Sequence, residues 1–195
     1  MPVVGRAVTW FLDAGWPRTR SSGVLRTKAI DDLVRQSLQE GFRQFLLLGA
    51  GFDSRPYRIF EAKDARTFEV DHPATQTLKR RRLCAHLGQI PQHIRFVPVD
   101  FESDDLAQSL FQAGFNKGER TIAVWEGVVS YLSPAAVHQN FLILARLLAP
   151  ASRLIFTYVH RGALDGSGTF PEAQRGNHRF VLAASPSYLA SNLSN

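Results

Sequence analysis

The chain has 195 residues, 45% of them hydrophobic, and a formal charge of +6, which fits one domain with a real core. Its single cysteine, Cys84, excludes an internal disulfide or a cysteine-based zinc cage and suits a reducing cytoplasm, while the longest apolar region, 141–158, contains Arg146, Pro150 and Arg153 and so does not read as a membrane span. The basic excess is mostly scattered arginine, and its one cluster, Lys79 to Arg82, lacks interleaved aromatics, so it reads as a solvated helix face and no nucleic-acid partner is expected.

Residues 1–25 carry Pro2, Pro17 and several glycines around Trp10, Phe11 and Trp16 and read as an irregular arm. Its apolar stretch is short and cut by Arg6, Asp13 and Arg18, so no secretory leader is expected. A helix is predicted from Leu25 to Glu40, with Ile30, Leu33, Val34 and Leu38 on one stripe and Gly41 as its stop. Gln44 to Leu48 is an apolar run suited to a strand buried on both faces, and it breaks at Gly49-Ala50-Gly51. A short helical turn follows over 54–62, then a strand from Thr67 to Val70 ending in Asp71. Pro73 opens a helix that Gly88 stops near Leu87. Ile94 to Val99 is the third strand, ended by Asp100, and Ser103 is the expected cap of a helix reaching Ala113. Thr121 to Trp125 is the fourth strand, ended by Glu126, and Ser133-Pro134 starts the next helix. Arg153 to Val159 is the fifth strand. Residues 161–195 are rich in Gly, Ser, Asn and Pro, with 180–184 as their only apolar run, and read as a poorly ordered tail.

Alternation of strands and helices implies an α/β fold, a parallel sheet with helices on both faces. In such a sheet the carboxyl ends of the strands line one crevice where ligands bind. Here that crevice receives a glycine turn and three acids, Asp71, Asp100 and Glu126. Taken singly, each acid is also explained as a strand-end residue capping the next helix. An acid about 20 residues past a glycine turn can bind ribose hydroxyls of either a dinucleotide or an adenosyl ligand. However, Ser54 replaces the third glycine of the dinucleotide pattern, and three carboxylates repel a pyrophosphate. A cationic, ribose-bearing ligand such as S-adenosylmethionine fits better.

Five strings, taken in order, resemble the leucine carboxyl methyltransferase family and its bacterial branch of S-adenosylmethionine-dependent O-methyltransferases. They are Arg26-Thr27-Lys28, Leu48-Gly49-Ala50-Gly51-Phe52-Asp53-Ser54-Arg55-Pro56-Tyr57-Arg58, Phe68-Glu69-Val70-Asp71-His72-Pro73, Val97-Pro98-Val99-Asp100-Phe101 and Trp125-Glu126-Gly127-Val128-Val129-Ser130-Tyr131-Leu132. The resemblance implies a class I methyltransferase-like, Rossmann-like domain over 26–160 with S-adenosylmethionine as cofactor. It implies that Gly49, Ala50 and Gly51 approach the methionine part and that Arg26 pairs with its carboxylate. Asp71 is then expected on the ribose, Asp100 and Phe101 beside the adenine, and Glu126 at the amino or sulfonium end. The acceptor is expected to be a carboxylate or hydroxyl of a small molecule or peptide. Tyr131 either faces it or packs in the core. His72 and His160 are the histidines that could act as a base; neither sits in a motif, and no catalytic residue or metal ligand is assigned. Family members continue after the fifth strand with a helix and a terminal strand pair, a pattern that 176–195 does not show. The sheet is therefore expected to lack that pair and to leave the fifth strand as an exposed edge. An inactive cofactor-binding or dimerisation module is the alternative to an active, cytoplasmic enzyme.

Overall fold

The computed structural model describes residues 19–159 and 179–184. In chain order these form α1 (Thr19–Gln39), β1 (Gln44–Leu48), α2 (Arg55–Arg58), a 3-10 turn (Phe60–Asp64), β2 (Arg66–Asp71), α3 (Pro73–Leu87) and β3 (Ile94–Pro98). Then come α4 (Leu106–Gln112), β4 (Thr121–Trp125), a second 3-10 turn (Val129–Tyr131), α5 (Pro134–Leu147), β5 (Arg153–Val159) and β6 (Arg179–Ala184). The arm aromatics Trp10, Phe11 and Trp16, and His160, lie outside the described residues.

One sheet runs in the order β3-β2-β1-β4-β5-β6. Its first five strands are parallel, and β6 is antiparallel to β5. Period-two alternation divides the apolar residues between its faces. Leu46, Leu48, Phe68, Val70, Ala123 and Trp125 pack with Leu106, Leu110, Phe141 and Leu144 of α4 and α5. Phe45, Leu47, Ile122 and Val124 pack with Ile30, Val34 and Leu38 of α1. The helices therefore cover both faces, as the alternation of elements predicts.

Three local expectations change. First, α1 starts at Thr19, ahead of the predicted Leu25, and runs through Gly23. A single glycine costs a helix about 1 kcal/mol, too little to stop one anchored further on by Ile30 and Val34. Second, α4 is capped by Asp105, which accepts from the Gln108 amide, and not by Ser103. The amides of Ser103 and Asp104 instead close a turn onto the Asp100 carbonyl, so the helix starts later. Third, β5 is not an exposed edge, because Leu154 to Val159 pair with Arg179 to Ala184. The partner strand is the isolated apolar run of the C-terminal region. A run that short becomes a strand through the ladder it joins, which its flanking sequence does not announce.

Among the described residues no helix is long and apolar enough to cross a membrane.

Candidate active site

The neighbours of β1 are β2 on one side and β4 on the other, so the chain changes direction across the sheet between β1 and β4. Register aligns their ends. Leu48 pairs with Val70, Leu47 with Val124 and Asp71 with Pro98, which brings Gly49, Asp71, Asp100 and Glu126 to the same end of the sheet. A cavity of about 370 Å³ lies there, lined by Gly49, Ala50, Gly51, Asp53, Arg55 and Glu126 among others. A larger groove of about 780 Å³ runs between α4 and α5. It touches neither the glycine turn nor Glu126, so the smaller cavity is the candidate site.

The glycine turn is held in left-handed backbone, with φ +65° at Gly49 and +42° at Gly51. Gly49 lies against the side chain of Val128, and a Cβ there would meet Val128 Cγ2 at 2.1 Å. Around Gly51 the corresponding direction is open, its nearest heavy atom being the Gly49 carbonyl oxygen at 3.8 Å. The Gly51 amide donates to Oδ2 of Asp71, and the His72 amide donates to Oδ1 at 2.7 Å. Both carboxylate oxygens are thus oriented by backbone and keep lone pairs for further donors.

Glu126 follows β4, whose end is fixed by a bond from the Gly127 amide to Thr157 Oγ1 at 2.8 Å. Its Oε1 accepts from Nε of Arg26 at 2.7 Å, and its Oε2 lies 2.9 Å from Nη1 of Arg55. Arg55 also donates from Nε to Asp31 Oδ1 at 2.8 Å and from Nη1 to Asp53 Oδ2 at 2.6 Å. Arg58 donates from Nη2 to the same Asp31 Oδ1 at 2.8 Å. Burial favours neutral Asp31, but hydrogen bonds from Arg58 and Arg55 and their charges outweigh it and hold the carboxyl below its ordinary range.

A second buried cluster supports the turn from the α3 side. Lys79 Nζ lies 2.8 Å from Glu69 Oε2 and donates to the Asp53 carbonyl at 2.9 Å. Lys79 and Glu69 are 4% and 1% exposed, so Lys79 is no part of a solvated face; Arg80, Arg81 and Arg82 are. Burial pushes the Glu69 carboxyl above its ordinary value even though Lys79 pulls it down. Burial, and then the charge of Glu69, push the Tyr57 hydroxyl above the ordinary tyrosine range.

The expected site residues therefore divide. Gly49, Ala50, Gly51 and Glu126 share one cavity; Asp71 joins it through Gly51, and Arg26 through Glu126. Asp100 is half-buried at the end of β3, where its Oδ1 accepts from the Glu102 amide at 3.0 Å. The Phe101 ring belongs to the core, its centroid 5.9 Å from that of Trp125. Neither lines the 370 Å³ cavity. Tyr131 is 78% exposed, which removes the core alternative. His72 is exposed and caps α3, its Nδ1 accepting from the Ala74 amide. Sequence reasoning did not single out Asp31, Asp53, Arg55, Lys79 or Glu69. Asp31 gave one signal, an acid beside Ile30 on the apolar stripe of α1. Among the described residues no group of three or more His, Cys, Asp or Glu could hold a metal ion.

The family model for leucine carboxyl methyltransferase matches residues 11–144. A Mycolicibacterium paratuberculosis protein named "Putative S-adenosyl-L-methionine-dependent methyltransferase" is 35% identical over 145 residues, 73% of this chain and 46% of its own. One of the same description from Streptomyces coelicolor is 37% identical over 150 residues, 73% of this chain and 50% of its own. The chain thus spans about half the length of the curated relatives it matches. A crystal structure of a "putative methyltransferase" from Thermobifida fusca superposes with a TM-score of 0.62 at 21% identity, covering 87% of this chain and 62% of that one, a likeness of fold.

Proposed function

The chain belongs to the leucine carboxyl methyltransferase family, and on that premise we propose that it binds S-adenosylmethionine at the ends of β1 and β4 for transfer of a methyl group to oxygen. The acceptor is a carboxylate or hydroxyl of a small molecule or peptide. The observation that carries the proposal is the 2.7 Å contact of Arg26 with Glu126, where Glu126 lines the same cavity as the Gly49–Gly51 turn. A guanidinium and a carboxylate at one place match the two charges of an amino-acid group.

The remaining residues suit the rest of that ligand. The open side of Gly51 leaves bare backbone for close approach. Asp71, with both oxygens oriented, can accept from ribose hydroxyls. Asp100, half-buried after β3, is the acceptor we assign to an exocyclic amine. The cavity volume falls within the 300–1,000 Å³ of ordinary small-ligand sites. When bound, S-adenosylmethionine supplies a methyl group made electrophilic by its sulfonium, so the protein's task is chiefly orientation. An ionised carboxylate acceptor needs no base. Because His72 Nδ1 is engaged at the start of α3, a carboxylate is the simpler acceptor.

Calorimetric titration with S-adenosylhomocysteine tests the proposal, with NAD titrated in parallel. Saturable one-to-one binding of the adenosyl ligand is expected. A folded chain that binds neither S-adenosylhomocysteine nor S-adenosylmethionine overturns it. Binding without methyl transfer to a panel of carboxylates and phenols would leave the chain a cofactor-binding module.

A further inference from the structure

We propose that Arg55 is the positioning residue for the amino-acid end of the ligand, holding Glu126 in place while a zwitterion inserts between Arg26 and Glu126. This rests on the ligand assignment above. Arg55 is 3% exposed and bridges three carboxylates from three parts of the chain. They are Asp31 of α1, Asp53 of the turn after β1 and Glu126 at the end of β4. Arg26 also pairs with Glu126, and Arg58 and, at 4.0 Å, Arg35 pair with Asp31. The Arg55 guanidinium can be buried because every charge beside it is paired.

The contacts differ in accessibility. The side chain of Arg55 is 4% exposed, whereas those of Arg26 and Glu126 are 19% and 18% exposed. The Arg26–Glu126 contact is therefore one a solute can reach. An amino-acid group can exchange into it without changing the charge of the site, its carboxylate taking Arg26 and its ammonium taking Oε1 of Glu126. Such an exchange needs Glu126 to stay where it is once Arg26 lets go. Arg55 provides that, because it binds the other oxygen, Oε2, from a guanidinium already clamped by Asp31 and Asp53. Burial alone would weaken the charge on Arg55, but Asp53, Asp31 and Glu126 more than restore it.

The test compares S-adenosylhomocysteine, which carries the amino-acid end, with 5′-methylthioadenosine, which lacks it, on the wild-type chain and on Arg55→Lys. Lysine keeps the charge but cannot bridge three carboxylates from a planar fork. Affinity for S-adenosylhomocysteine is expected to fall roughly tenfold or more, the scale of one charge-assisted hydrogen bond, and that for 5′-methylthioadenosine to change less than about twofold. Circular dichroism melts establish that each variant is folded. If Arg55→Lys does not fold, Asp53→Asn, which removes one arm of the clamp at a side chain 18% exposed, takes its place with the same expectation. Equal losses for both ligands, or no loss for either, overturn the role of Arg55. Failure of the wild-type chain to bind either ligand overturns the ligand assignment itself.

Discussion

Gly49 and Val128 touch across the crevice so closely that a single methyl group on Gly49 would sit 2.1 Å from Val128 Cγ2. The two residues stand at the ends of β1 and β4, so their contact sets how closely the two loops approach. Gly49→Ala adds both a left-handed alanine, at φ +65°, and a clash. A loss of roughly 2–4 kcal/mol is expected, the sum of the left-handed penalty and of overpacking. Val128→Ala in the same chain should return about 1–3 kcal/mol of it, because only the overpacking share is relieved. Urea unfolding of the two single variants and the double variant measures both shares, and additive effects would contradict the contact.

Asp71 connects the turn to the ligand. Asp71→Ala should weaken S-adenosylhomocysteine binding by about 1.5–3 kcal/mol, the worth of hydrogen bonds to a charged group. Calorimetry on folded variant reads this directly, and an unchanged affinity would remove Asp71 from the site.

Lys79 is the counter-ion of a buried carboxylate, so Lys79→Met should destabilise the chain by about 3–5 kcal/mol at neutral pH. Glu69→Gln in the same chain should recover much of that. The sign with pH is specific. Glu69 is raised in the folded state, so its contribution is complete below its ordinary value of 4.5 and is lost as pH rises through the higher folded value. Without Lys79 the folded value rises further and the loss extends to higher pH. Denaturant unfolding at a series of pH values, for wild type and Lys79→Met, shows whether the curves diverge on that side.

Asp31 has the opposite sign. Its folded value is lowered, so its stabilisation is complete above 3.8 and is lost as pH falls through the lower folded value. Asp31→Asn should be less stable at neutral pH and should show a flatter decline on acidification. Parallel acid limbs for the two proteins would count against the pairing with Arg55 and Arg58.

Ala151 precedes β5 with φ +63° and is exposed. Ala151→Gly should stabilise the chain by up to about 1 kcal/mol, the left-handed penalty of alanine offset by the entropy of the freer unfolded glycine. A rise in melting temperature checks it.

The central strands β1 and β4 were legible because each is a mostly apolar run closed by a residue of another kind, Leu48 by Gly49 and Trp125 by Glu126. Local pattern fixes such boundaries, and the order of elements then puts the strand ends together. The buried charges were not legible for the opposite reason. Arg55 meets Asp31 from 24 positions away, and Arg26 meets Glu126 from 100 positions away. Lys79 stands in a run of three arginines, from which only packing against Glu69 separates it. The ring of Phe101, expected beside an adenine, lies against Trp125, a choice between two apolar surroundings that composition does not encode.

The buried side chains of α3 are only Gln76 and Lys79. Both reach Glu69, Gln76 through its backbone carbonyl at 3.1 Å and Lys79 through its carboxylate. A helix whose buried side chains are both polar has little apolar area resisting its detachment, so its amides should exchange with solvent well before those of β1 or β4. Lys79 also grips the Asp53 carbonyl, so each such opening unfastens the glycine loop as well. Deuterium uptake along 73–87 would then report how often the loop comes undone, and a ligand that settles the loop should slow exchange along that helix as well.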